Sequence, residues 1–332
     1  MSGSGRKALI TGVRGQDGWY LAKTLLELGY EVIGTSHRAD EESMRIGDHD
    51  LPVSHLDLAD MSRVEHLVST QGFDEIYNLA SRSSSAQLFD DVITTSEING
   101  VAVARILESI KRHSPTTRFC QASSSEVFAG AEQALQDEST PRIPRNAYGA
   151  AKAFADHLVT AYRSEHRLFA CSAVLFSHES PRRHPHFVVR KITQGAARIA
   201  TGDTESVTLD NLESRRDWGY APDYMDAMRR MLQPDEPRDY VIATGQGHTV
   251  QDVCQVAFDH VGLDWRNHVE VSPRSGRLPE IAGRLGDARR AAADLGWTPT
   301  LGFAEMIREM VDADLALLQT RSARTGQDAL TD

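Results

Sequence analysis

Residues 7–28 restrict the fold more than any other stretch of the chain. Lys7–Thr11 (KALIT) has the apolar, β-branched composition of a buried strand, and residues 19–28 carry helical periodicity that stops at Gly29. Between them runs Thr11-Gly12-Val13-Arg14-Gly15-Gln16-Asp17-Gly18, a GxxGxxG spacing. One glycine permits a tight turn, a second lets backbone approach a pyrophosphate, and a third lets helix pack on strand. The helix start then offers unpaired N–H groups and partial positive charge to phosphate oxygens. Gly12, Val13, Arg14, Gly15, Gln16 and Asp17 are therefore candidate cofactor contacts.

The alternation continues downstream. Strands are expected at 31–35, 53–56, 75–79, Arg118–Ala122 and 169–176, with helices at 62–70, 95–113 and 148–166. Strict alternation predicts an α/β fold, a Rossmann-like doubly wound parallel sheet covered on both faces. After about 176 the rhythm changes: residues 177–186 are rich in Pro, His and Arg, and residues 240–243 are one more apolar run. A length of 332 residues exceeds what one core comfortably serves. The expected division is a nucleotide-binding lobe at 1–175, rejoined by about 216–244, and a smaller α/β substrate-binding lobe from 176–215 and 245–320. A flexible tail is expected at 321–332.

Charge narrows the function classes. Lys plus Arg number 36 against 47 Asp plus Glu, a net charge of −11, which disfavours non-specific binding to nucleic acid or anionic membrane. No run of about 18 apolar residues is present to span a bilayer, and the opening seven residues do not read as a signal peptide. Cys120, Cys171 and Cys254 are far apart, without CxxC spacing, as in a reduced cytoplasmic protein. The 13 histidines show no ligand spacing with carboxylates, so no metal is expected.

Two patterns select the chemistry. Where NAD enzymes of this fold carry an acid for the ribose 2′-hydroxyl, this chain has Thr35-Ser36-His37-Arg38. Arg38, with His37 beside it, would pair with a 2′-phosphate and favours NADP; the opposing reading leaves Arg38 in solvent and gives Asp40 the acid's part. Tyr148-Gly149-Ala150-Ala151-Lys152 puts a phenol and an ammonium four apart on one helix face. A lysine there can lower the phenol's pKa and hold a ribose, so the tyrosine can act on a substrate hydroxyl. Glu126 follows Ser123-Ser124-Ser125 at the carboxyl end of a strand, where ligands of such sheets bind. A carboxylate beside a newly formed carbonyl can exchange a proton at carbon, which points to elimination after oxidation. Its bland alternative is a solvated or helix-capping group.

Together these residues resemble the GDP-mannose 4,6-dehydratases, extended short-chain dehydrogenase/reductases of nucleotide-sugar metabolism, over about residues 6–318. The matching blocks are 8–18, 75–79, 121–126, 148–152, 178–183, 190–192, 216–219 and 241–245, of which His178-Glu179-Ser180-Pro181-Arg182-Arg183 is the most specific. The resemblance implies an internal redox cycle on a GDP-sugar with tightly held, recycled NADP. Ser124, Glu126, Tyr148 and Lys152 fall at the catalytic positions. Asp57, Leu58, Leu79, Ala80, Ser81, Ser83, Lys152, His178 and Arg183 fall where the family meets its cofactor. Lys191, Arg216 and Arg277 fall at nucleotide-binding positions, Glu280 at the ribose hydroxyls, and Arg82, Ser84, Ser177 and Val188 elsewhere around the substrate. A homodimer or homotetramer is also implied.

The departures cluster around the sugar. The family's Gln-Ser-His-Val run is here Arg82-Ser83-Ser84-Ser85, an Asn is Ser177, a Tyr is Thr94, and the catalytic Thr is Ser124. GDP-mannose is the default substrate the resemblance implies, and this pattern raises the variant expectation of a GDP-sugar differing from mannose, with Arg82 meeting a polar extension. A nucleotide-sugar epimerase working through the same 4-ketone is the alternative enzyme reading. A catalytically quiet NADP-binding protein would be expected to have lost Tyr148 or Lys152.

Overall fold

A computed structural model describes residues 5–38, 42–83, 91–272 and 285–328. Candidate residues Asp40, Ser84, Arg277 and Glu280 lie outside the described residues.

The chain begins with β1 (Lys7–Thr11), α1 (Gln16–Glu27) and β2 (Glu31–Ser36), followed by a hairpin of β3 (Ser43–Ile46) and β4 (His49–His55). Then come α2 (Met61–Gln71), β5 (Glu75–Asn78), α3 (Val92–Ser96), α4 (Ala102–His113) and β6 (Arg118–Ala122). A short β7 (Leu135–Gln136) precedes α5 (Ala147–His166) and β8 (Ala170–Leu175). Eight strands make one sheet in the order β12-β8-β6-β5-β1-β2-β4-β3, where β12 is Tyr240–Ile242. Every neighbouring pair is parallel except β3 with β4. The order reverses at β1, the switch point at which open α/β sheets bind ligands.

Burial explains the strand sequences. All four residues of β5 and all six of β8 are buried, as expected where helices cover both faces. One core joins Ile10, Leu21, Leu25 and Tyr77 with α7 (Ala221–Met231); the other packs Leu9, Ile76 and Phe119 against α2, α4 and α5. A third core lies among α6 (Val188–Ala200), α8 (Val250–His260) and α10 (Phe303–Asp328), including Ile192, Trp218, Phe258 and Ile307. Beside it, β11 (Arg215–Tyr220) pairs in parallel with β9 (Ser177–Glu179) and antiparallel with β13 (Gly247–Thr249). A separate parallel pair, β10 (Val207–Leu209) with β14 (Val269–Val271), adds Val207 and Leu209 to the same core.

Three features differ from the sequence reading. Edge strand β3 was not expected; Gly47, at φ +56°, turns the chain so that β3 folds back on a β4 longer than its apolar run. The single helix expected at 95–113 is divided by a π-helical turn over Glu97–Val101. There the buried Asn99 turns its side chain onto the backbone N–H and carbonyl of Arg82. Finally, α9 (Arg289–Leu295) packs on β12 and α7 rather than with α10, and Trp297 Nε1 donates to the Asp223 carbonyl at 2.8 Å within the main core.

Candidate active site

The glycine turn is built for a ligand. Gly12 has φ +70°, and a Cβ there would stand 2.8 Å from the Ala80 Cα, so the loop lies hard against the segment leaving β5. Thr11 Oγ1 fastens that approach, accepting from Leu79 N and Ala80 N at 3.1 Å each. Gly15 caps α1 without a side chain, and its missing Cβ would meet only the Gly12 carbonyl, at 3.3 Å. The cradle and open helix start fit a dinucleotide pyrophosphate.

Side chains at the helix start reach the segment around β9. Ser180 Oγ donates to Gln16 Oε1 at 2.7 Å, and Asp17 faces His178 Nε2 at 3.1 Å. Burial pushes Asp17 up, yet the charge and hydrogen bond of His178, the Gln16 amide and the Arg183 charge together hold the carboxyl down at about 2. Burial lowers His178, but Asp17 opposes this and leaves it above its ordinary value. Arg183 lies 3.2 Å from buried Glu179, its guanidinium 3.5 Å over the Phe187 ring.

On the opposite wall, α5 presents Tyr148 and Lys152, which are 9 % and 1 % exposed. Asn146 starts this helix: its Oδ1 accepts from Gly149 N at 2.7 Å, while its Nδ2 donates to Glu126 Oε2 at 2.8 Å. Gly149 permits the contact, because a Cβ there would stand 2.7 Å from the Glu126 carbonyl oxygen. Ser124 caps the short 3-10 turn that carries Glu126, accepting from Glu126 N at 3.2 Å.

The Tyr148 phenol is raised by burial, with the Ser124 and Ser81 hydroxyls drawing it back. Lys152 Nζ donates to the Ala122 carbonyl at 2.7 Å and lies 5.8 Å from the Tyr148 ring centre. Two hydroxyls, rather than the ammonium expected from the YxxxK spacing, therefore lead the influences that lower the phenol. Burial brings Lys152 down to about 8 against the opposing charges of Asp156 and Asp17.

The remaining predicted residues are spread around this centre. His37 and Arg38 are exposed just after β2, with Arg38 N donating to Ser36 Oγ at 3.1 Å. Asp57 turns to accept from Ala59 N, and Leu58 is buried. Ser81 Oγ donates to Asn99 Oδ1 at 2.8 Å, and Ser83 is exposed. Arg82, expected near the sugar, pairs with Asp91 at 2.7 Å. Val188 and Lys191 stand at the start of α6, where Lys191 Nζ donates to the Thr208 carbonyl at 2.5 Å. Ser177 and Arg216 lie on β9 and β11. Asn146 and Asn99 were missed. For Asn146 a signal existed, an Asn directly before the helical run.

The doubly wound sheet, the glycine turn and a Ser–Tyr–Lys group at the strand ends define the short-chain dehydrogenase/reductase class. Within it, the chain belongs to the GDP-mannose 4,6 dehydratase family, which it matches over residues 9–310. It is 40 % identical over 325 residues to GDP-mannose 4,6 dehydratase 2 of Arabidopsis thaliana, covering 93 % of this chain and 87 % of that one. Identity to the Homo sapiens GDP-mannose 4,6 dehydratase is 38 %, covering 94 % of this chain and 92 % of that protein. Among solved structures, the UDP-glucose 4-epimerase of Thermus thermophilus, in complex with NAD, has TM-score 0.80 and 26 % identity, covering 93 % of this chain and 98 % of that one. Among the described residues, no helix is long and apolar enough to cross a membrane.

Proposed function

We propose that the protein is a GDP-mannose 4,6-dehydratase that runs an internal redox cycle with a resident NADP. The observation that carries this reading is Glu126, a third acid–base group held by Asn146 beside the Tyr148–Lys152 pair. A simple dehydrogenase has no use for it.

The glycine turn, Asp57, Leu58, residues 79–81, Ser83, Lys152, His178 and Arg183 would hold the cofactor, with Arg38 taking the 2′-phosphate. When bound, its nicotinamide supplies an acceptor for the C4 hydride and gives that hydride back at C6. Tyr148 takes the proton of the sugar 4-hydroxyl, and Ser124 steadies the resulting 4-oxygen. The 4-ketone acidifies H5, which Glu126 removes as a proton. Glu126 returns that proton to the departing 6-hydroxyl, so one water leaves. A proton delivered to C5, matching the one Tyr148 took from the 4-hydroxyl and released by the tyrosine, completes a 4-keto-6-deoxy sugar and restores the enzyme. Lys191, Arg216 and Arg277 supply positive charge for the diphosphate of an acidic protein's anionic substrate, and Glu280 binds the ribose. Ser177, Val188, Ser84 and Arg82 are read as surrounding the sugar.

The test is mass spectrometry of GDP-mannose incubated with the purified protein. A product lighter by about 18 Da, without net consumption of cofactor, is expected. An unchanged mass with altered sugar stereochemistry would instead make the protein an epimerase. Turnover confined to another GDP-sugar would make the altered residues near Arg82 the cause. The same reading makes the protein a homodimer or homotetramer, with exposed Val92, Ile93 and Phe154 as an apolar face for a second copy; sedimentation of the purified chain checks this.

A further inference from the structure

One buried charge behind the site has no part in the chemistry above. Asp156 lies four residues after Lys152, on the same face of α5, and is 1 % exposed. A carboxylate so deep in the protein requires partners. Ser123 Oγ, just past β6, donates to its Oδ2 at 2.7 Å, and Arg142 Nε donates to the same oxygen at 3.1 Å. The Ser172 hydroxyl of β8 adds to the groups that favour the charged carboxylate.

Each tie leads to a different part of the site. Ser123 stands between Ala122, whose carbonyl accepts the Lys152 ammonium, and Ser124, whose hydroxyl meets Tyr148. Arg142 belongs to the segment that ends in Asn146, the residue holding Glu126. One carboxylate thus joins the end of β6, the 142–146 segment and the helix that carries both Tyr148 and Lys152.

We propose that Asp156 is a positioning residue: it keeps buried Lys152 an ammonium and holds Ser123 and Arg142 so that Ser124, Glu126 and Tyr148 stay aligned. The charged groups acting on Lys152 are Asp156 from its own helix and Asp17 from α1. Each carboxylate also has cations of its own, His178 and Arg183 for Asp17 and Arg142 for Asp156. Asp156 comes before Asp17 among the influences that oppose the burial of Lys152.

The kinetic arm of the test rests on the dehydratase reading; the titration arm does not. In protein carrying 13Cε-labelled lysine, the Lys152 resonance is identified by its loss in Lys152→Ala and titrated by NMR. Asp156→Asn, which keeps an acceptor for Ser123, should lower the Lys152 midpoint by about one pH unit, and smaller Asp156→Ser should do the same. Ser123→Ala leaves the charge in place, so the midpoint should hold while turnover falls roughly tenfold at unchanged KM. A midpoint at the wild-type value in either folded Asp156 variant overturns the proposal. Failure of the wild-type protein to dehydrate any nucleotide sugar would instead overturn the functional reading, and the titration would still decide the role of Asp156.

Discussion

Tyr148 and Glu126 are assigned different protons, and their substitutions should fail at different steps. Tyr148→Phe removes the group that opens the cycle, and turnover should fall by roughly 10²–10⁴ with no exchange of solvent deuterium into the sugar. Glu126→Gln should still form the 4-keto sugar but stall there, giving reduced cofactor in a single turnover and no loss of water; full turnover would refute the elimination role. Lys152 sets the alkaline side. With its ammonium held near 8, turnover should decline as pH rises through about 8. Stability moves the other way. Between about 8 and the ordinary 10.5 the unfolded chain binds the extra proton, so this residue's contribution to stability rises with pH.

At the scale of elements, Asn146 joins helix and catalytic turn through two ends of one amide. Asn146→Asp keeps the cap on α5 but loses the donor to Glu126, so stability should be retained while turnover falls. Asn146→Ala loses both functions and should also cost about 1 kcal/mol, read by urea unfolding. The Asp17–His178 pair ties α1 to β9 in a similar way. Asp17 is lowered, so its contribution is present above its ordinary 3.8 and lost as pH falls through about 2. His178 is raised, so its contribution is full below its ordinary 6.5 and lost as pH rises through its folded value. The stability gap between wild type and His178→Gln should therefore be widest between about pH 4 and 6.5 and narrow above, as thermal unfolding across pH would show.

Across the whole molecule, Asp217 on β11 ties the small β9–β11–β13 sheet to the end of the main sheet. It is 1 % exposed and accepts from Thr244 N and Gly245 N at 2.9 Å, Thr244 Oγ1 at 2.6 Å and Gly286 N at 3.2 Å. Those partners sit just beyond β12 of the main sheet and in β15 (Leu285–Gly286), which pairs with β7. Asp217→Ala leaves several buried donors unpaired. It should lower stability by roughly 3 kcal/mol in urea unfolding and weaken nucleotide-sugar binding through the displaced Arg216.

The sequence by itself determined the elements whose signal is local. Strands Lys7–Thr11 and Arg118–Ala122 fall where composition put them, because strands covered on both faces carry apolar runs, here residues 8–10 and 119–120. The glycine turn was legible because few residues other than glycine tolerate the φ of Gly12, and Tyr148 and Lys152 because four residues return a helix to the same face. Tertiary structure decided what depends on distant partners. No local pattern joins Asp17 to His178, Asn146 to Glu126, or Asp156 to Ser123 and Arg142. The ammonium of Lys152 went to the Ala122 carbonyl because burial demands a hydrogen-bond acceptor, a requirement that sequence spacing does not reveal. Likewise Trp297 and α9 rejoined the main core because an indole needs both an apolar site and a carbonyl, here that of Asp223, 74 residues away along the chain.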